Sequence, residues 1–259
     1  MKIKSLTLSV SLLLLFMVSC KKSTTEPSPV PPVPNAAEEQ MSPASGKAVH
    51  YLFNGNTRDT SGNNNHGGEA GYLAYGSDRF DRANRSLVLN GSNARTEVVG
   101  LNQTFPFSYS LWLNTPTPEA VMSLFQSDRT ANSYFGSWLQ MSISSPNKLA
   151  FNIGNGGAMN GNSRNSLLSS VALSANQWYH LVINARGAND MDLYINGVKD
   201  NSAVYDGDAT QISYSGPSPI GLIGAAFSGQ NFNGKIDDFR AYNRTLTPTE
   251  VAALYSFHP

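Results

Sequence analysis

The chain has 259 residues, 40% hydrophobic and 14% charged, with a formal net charge of zero. From Gly46 onward, 14 Lys and Arg stand against 15 Asp and Glu, so no basic stripe runs along the sequence to hold nucleic acid or a membrane surface. Gly, Asn, Ser and Thr interrupt the chain every few residues, which excludes long helices, and the length suits one domain of roughly 200 residues plus extensions.

Residues 1–20 read MKIKSLTLSVSLLLLFMVSC. Two lysines precede an apolar run from Leu6 to Val18, followed by Ser19 and Cys20. The run is shorter than the ~20 residues a membrane-spanning helix needs, and it fits the apolar region of a secretory signal. Cys20 is the only cysteine in the chain, so the mature domain holds no disulfide. The segment resembles a bacterial lipoprotein signal peptide, in which a small residue precedes a cysteine that is lipidated and becomes the new N-terminus. That resemblance implies lipidation at Cys20. Lys21, in the position after it, implies the outer membrane of the cell envelope. An ordinary signal peptide with an incidental cysteine is the alternative.

Residues 21–46 follow as a linker, with Pro27, Pro29, Pro31, Pro32 and Pro34 close together. Proline-rich chain is extended and semi-rigid, so ~25 residues at ~3 Å each reach up to ~75 Å. Residues 47–259 form the domain. There, apolar stretches of four to eight residues alternate with turn signals, which is a strand pattern. SLVLNG, TEVVG, FSYSLWL, VMSLFQ, SWLQMSI, KLAFNIG, WYHLVINA, DLYINGVK and PIGLIGAA read in this way. In FSYSLWL, Phe107, Tyr109, Leu111 and Leu113 share one face, with Ser108, Ser110 and Trp112 on the other. A sheet in a sandwich has one core face, so one of these two sets is expected to be exposed. Asn196-Gly197 predicts a two-residue hairpin turn. LTPTEVAALY predicts one short helix, with Thr247 as N-cap, Pro248 at the first helical position and Glu250 completing a capping box. About a dozen strands and a single helix, without a βαβ rhythm, predict an all-β antiparallel sandwich.

Three stretches in order carry a family resemblance. They are YLFNGNTRDTSGNNNHGG, then FSYSLWLN with QWYHLVINARGANDMDLYINGVKD, then FNGKIDDFRAYNRTLTPTEVAALY. Together they resemble the LamG-like jellyroll domain of the concanavalin A-like lectin/glucanase superfamily, from about Ala48 to Tyr255. The resemblance implies two curved antiparallel sheets of six or seven strands with the first and last strands adjacent. It thereby brings Asp59 near Asp237 and Asp238, and many relatives carry Ca²⁺ at about this place. Ca²⁺ takes six to eight oxygens. Asp59 and Asp238 are the expected side-chain ligands, joined by Asp237, with Asn56, Asn64 and His66 contributing oxygen atoms, His66 through its carbonyl. The alternative is that Asp59 caps its own turn while an aspartate pairs with Arg58, Arg240 or Arg244.

Catalytic signals are sparse. The glucanase branch shows its carboxylates as Glu-x-Asp-x-x-Glu, and no such spacing occurs. Of the domain's four glutamates, Glu69, Glu97, Glu119 and Glu250, only Glu97 sits on an expected strand. No His-Glu-x-x-His metal motif and no Gly-x-Ser-x-Gly nucleophile motif is found. Trp112, Trp138 and Trp178 raise the question of sugar stacking, and Tyr205 stands beside Asp206 and Asp208 in YDGDAT. Trp112 and Tyr205 are the expected ligand-binding aromatics. The sequence therefore points to a membrane-tethered, non-catalytic domain that recognises a carbohydrate. The alternatives are a protein-binding or adhesion module, or a glycoside hydrolase or polysaccharide lyase with an unrecognised active site. The expected partner is a glycan or an extracellular protein, with membrane contact through the lipid anchor alone.

Overall fold

The computed structural model describes Pro43, residues 45–128, Thr130, and residues 132–226 and 229–257. The signal segment, Cys20 and nearly all of the linker lie outside the described residues. In chain order the strands are β1 (Lys47–Tyr51), β2 (Gly68–Ala70), β3 (Ala74–Gly76), β4 (Ser86–Asn90), β5 (Arg95–Val98), β6 (Phe107–Asn114), β7 (Ser123–Gln126) and β8 (Ser133–Met141). They continue with β9 (Leu149–Ala158), β10 (Arg164–Leu168), β11 (Tyr179–Gly187), β12 (Asp190–Ile195), β13 (Val198–Lys199), β14 (Val204–Gly207), β15 (Gly221–Ile223) and β16 (Asn233–Tyr242). One helix, α1 (Pro248–Ser256), closes the described chain.

The strands form two antiparallel sheets of eight. The first runs β13-β12-β11-β6-β16-β4-β3, with β1 also on β16; the second runs β14-β10-β9-β8-β7-β15-β5-β2. Each sheet has more strands than the six or seven expected, because short edge strands such as β2, β3 and β13 add to the count. The first and last strands do pair, with Tyr51 opposite Phe239.

The core lies between the sheets. Phe107, Tyr109, Leu111 and Leu113 of β6 meet Phe125, Leu139 and Phe151 of the second sheet, with Phe239 of β16 beside them. The Tyr109 and Phe125 rings lie 4.7 Å apart, and Phe125 meets Phe239 edge-on at 5.2 Å. Each such buried side chain stabilises the fold by roughly 1.5–3 kcal/mol. The Asn196-Gly197 turn connects β12 to β13, with positive φ at both residues as a type I′ turn demands. At the N-terminus of α1, Thr247 accepts from the Glu250 amide and the Glu250 carboxylate accepts from the Thr247 amide.

α1 changes the fate of the first sheet's outer face. Val251 and Leu254 pack on Val182, Tyr194, Tyr242 and Leu246. Tyr255 stacks on Trp112 at 5.8 Å, and the Arg79 guanidinium lies 4.5 Å from the Trp112 ring centre. Both faces of β6 are therefore buried, and Trp112 is only 7% exposed. This corrects the expectation that one side of β6 faces solvent and that Trp112 is the outward aromatic there.

Candidate functional site

Two places in the fold gather chemistry-bearing side chains: the junction of the chain ends, and the outer face of the second sheet.

At the junction, β16 carries a bulge. Asp237 is opposite Trp112 but Arg240 is opposite Ser110, so one extra residue sits between them. Asp238 takes that place with φ of 54°, a left-handed conformation that Asp tolerates better than most residues. The bulge explains why Ile236 and Phe239, three apart, both enter the core. It also leaves both aspartates nearly buried, each 4% exposed. Asp237 Oδ2 lies 2.7 Å from Arg79, and Asp238 Oδ2 lies 2.6 Å from Arg240. Asp238 Oδ1 lies 3.0 Å from His50 Nε2, while His50 Nδ1 faces Thr60 Oγ1 at 2.9 Å. Burial and the neighbouring Asp238 raise the Asp237 carboxyl well above the usual carboxylate range. Burial also pushes Asp238 upward, but Arg240, His50 and Arg79 outweigh it and hold it below that range. Burial and Arg240 push His50 down to about 4, and the same two causes push His180 down to about 3.

Asp59 is fully engaged by its own surroundings. Oδ1 accepts from the His50 and Ser61 amides, and Oδ2 accepts from Ser61 Oγ and the Asn65 amide. His66 Nδ1 accepts from the Asp59 amide at 3.1 Å, and Asn64 is exposed with positive φ. His50 thus stands between the expected ligands, bonded to Asp59 through its amide and to Asp238 through its ring. Among the described residues, no three His, Asp or Glu side chains converge on a metal position. The donor set as arranged does not fit Ca²⁺: both oxygens of Asp59 and of Asp238 already face N–H or O–H groups, Asp237 gives Oδ2 to Arg79, and Arg79 and Arg240 supply the positive charge. The cluster has the arrangement of a buried ion-pair network that ties β1 to β16.

The second sheet differs, because its outer face carries a groove of about 330 Å³, a volume within the range of small-molecule sites. Strand pairing builds its floor. Gln126 is opposite Trp138, Trp138 opposite Asn152, Asn152 opposite Ser166 and Ser166 opposite Asp206. This places five side chains in one row across β7, β8, β9, β10 and β14. At ~4.8 Å per strand the row is ~19 Å long. Along β8, Leu139 and Met141 point into the core while Trp138 and Gln140 face the groove. Tyr134 stacks on Trp138 with ring centres 5.1 Å apart and planes 23° from parallel. Gly154 permits this approach, since a Cβ there would collide with the backbone of Tyr134. At one end of the row the polar groups satisfy each other. Arg164 meets Asp206 at 2.8 Å and Ser166 beside it, and Ser166 Oγ donates to Asn152 at 2.6 Å. Asp128, which also lines the groove, accepts from the amide and hydroxyl of Ser215.

Tyr205 lies on β14 next to Asp206 but faces the other way. Its hydroxyl is fixed to the backbone of Met191 by two bonds, at 2.7 and 3.1 Å, so it links the two sheets outside the groove. The YDGDAT segment reaches the groove through Asp206 instead. The sequence presents Trp138 only as one of three tryptophans and does not reveal the row in which it stands. The signal was the alternation in SWLQM, where Trp138 and Gln140 share the face opposite Leu139 and Met141.

Residues 89–252, more than half of the chain, match the Laminin_G_3 family of the concanavalin A-like lectin/glucanases superfamily. The chain belongs to this family. Laminin_G_3 membership agrees with the two antiparallel sheets and the short C-terminal helix. No curated protein matches the chain by sequence. Among solved structures, domain 4 of the extracellular GH43 arabinanase AbnA from Geobacillus stearothermophilus, in complex with arabinotriose, is similar at 21% identity. Its TM-score is 0.62, with 82% of this chain and 98% of that one covered. The binding domain of botulinum neurotoxin DC, in complex with SialylT, is similar at 18% identity and TM-score 0.60, covering 82% of this chain and 51% of that one. The binding domain of Paraclostridial Mosquitocidal Protein 1 follows at 20% identity and TM-score 0.61, with 82% and 52% covered. The chain thus spans nearly all of the arabinanase domain and about half of each toxin binding domain. At these identities the likeness establishes the shared fold.

Proposed function

We propose that this Laminin_G_3 domain is a non-catalytic binding module that holds a glycan in the groove of the second sheet. The observation that carries this reading is the Tyr134–Trp138 stack set in a row of polar side chains. Aromatic faces stack on the apolar faces of sugar rings, and convergent amide, hydroxyl and charged groups fix orientation. The arabinotriose and SialylT complexes of two similar domains support a sugar as the ligand class. The groove carboxylates Asp128 and Asp206 are engaged by Ser215 and Arg164, which speaks for binding rather than acid–base work. A protein partner is the second reading, favoured by Ile143 and Met159, which are exposed at the groove. We place the domain at the bacterial outer membrane through a lipid on Cys20, with residues 21–46 as the tether.

Titration of the full-length protein with a polysaccharide panel tests the groove. Wild type should bind at least one polysaccharide and release no new reducing ends, and Trp138→Ala should weaken binding at least about tenfold. Cleavage that survives Trp138→Ala but stops when a carboxylate is removed would turn the reading to an enzyme. Radiolabelled fatty acid should enter wild type and not Cys20→Ser.

A further inference from the structure

The row across the groove has one finished end and one unfinished end. From Asn152 to Asp206 every polar side chain bonds to its neighbour. At the β7 end this stops. Gln126 is 4% exposed and Ser123 is 2% exposed, and both line the groove. Gln126 Nε2 and Ser123 Oγ are buried, with no hydrogen-bond partner. Such groups are costly unless something completes them. A register shift in β7 puts both on the groove face, while Leu124 and Phe125 enter the core. Gln126 lies directly opposite Trp138, where facing Cβ atoms are ~5 Å apart. A donor and a hydroxyl therefore sit beside the stacking face.

We infer that Gln126 and Ser123 form the polar subsite that holds the hydroxyl or ring oxygens of a sugar unit seated on Trp138, and that the glycan is uncharged. This rests on the groove reading above and deepens it. Gln126 Nε2 donates to a sugar oxygen, and Ser123 Oγ donates or accepts. The class of glycan follows from charge. Among the described residues that line the groove, the single cation is Arg164, which is committed to Asp206. A uronate or sulfated chain would bring anions to a floor whose carboxylates, Asp128 and Asp206, are already in place.

The test titrates the full-length wild type, Gln126→Leu, Ser123→Ala and Trp138→Ala with arabinan, xylan and β-glucan as uncharged probes and polygalacturonate as the acidic one. The wild type is expected to bind an uncharged probe. Gln126→Leu and Ser123→Ala should each weaken that binding roughly three- to tenfold, the worth of one hydrogen bond. Their melting temperatures should be unchanged or higher, since an unpaired buried polar group has been removed. If Trp138→Ala loses binding while Gln126→Leu and Ser123→Ala bind like wild type, the polar subsite is overturned and the groove reading stands. A preference for polygalacturonate overturns the uncharged class. If no probe binds, or Trp138→Ala binds like wild type, the groove reading falls and the subsite with it.

Discussion

His50 Nε2 lies 3.0 Å from the Asp238 carboxylate, across 188 residues of chain, and this contact joins the first strand to the last. The same carboxylate holds Arg240, which is 1% exposed. A buried guanidinium is tolerated only while its partner is charged.

Asp238→Asn is therefore expected to destabilise the domain by about 3–5 kcal/mol, the usual result of removing one member of a buried pair. Asparagine accepts the positive φ of this position, so the change isolates the charge rather than the backbone. Urea unfolding of the two proteins measures it. A loss below about 1 kcal/mol would show that Arg240 finds another partner.

Acid should weaken the fold well before the carboxylates as a class titrate. The folded-state values of His50 and His180 lie at about 4 and about 3, below the 6.5 of a free histidine. The unfolded chain then binds more protons between those values, and stability falls as pH drops below ~6.5. Asp237, raised when folded, works in the opposite sense above the ordinary aspartate range, and as a single group it can offset at most one of the two protons. Asp238, lowered when folded, adds stability above the ordinary aspartate range that is lost in stronger acid. The net slope between pH 6 and pH 4.5 should be on the order of 1 kcal/mol per unit. His180→Gln should flatten it. Denaturant midpoints across that range provide the measurement, and a pH-independent midpoint would contradict the burial of neutral histidines.

Chelation should leave the melting temperature unchanged. Asp59 accepts four hydrogen bonds within its own region, so Asp59→Ala should destabilise by roughly 2 kcal/mol with or without chelator. A Ca²⁺ site filled at 100 times its dissociation constant would contribute ~2.7 kcal/mol. If chelator lowers the wild-type melting temperature and Asp59→Ala abolishes that response, the metal expected at Asp59, Asp237 and Asp238 is present after all.

Gly154→Ala tests the stacking platform from beneath. Its Cβ would meet the backbone of Tyr134, so Tyr134 must move off Trp138. Overpacking of this kind costs about 1–3 kcal/mol. The variant should remain folded and lose glycan binding together with its tryptophan fluorescence response. Wild-type affinity in a folded Gly154→Ala protein would show that the stack does not hold the ligand.

Local chemistry in the sequence was enough to specify most of the longer strands, the Asn196-Gly197 turn and the Thr247 cap. Each depends on residues near in sequence: alternation with period two, a positive-φ dipeptide, a reciprocal cap four residues long. β10 escaped notice because RNSLL has little alternation, yet it supplies Arg164 and Ser166. The adjacent aspartates Asp237 and Asp238 are visible in the sequence, but the bulge that buries both is not, since a bulge is defined only by the partner strand. Which tryptophan is open was undecidable for the same reason. Trp112 and Trp138 each sit opposite a row of core residues on an alternating strand. The packing of α1 and Arg79 over Trp112 on one sheet separates it from Trp138, which stays half-buried beside Tyr134 on the groove face of the other. The row from Gln126 to Asp206 exists through register, and register is fixed by the whole sheet burying its apolar face, not by any one strand.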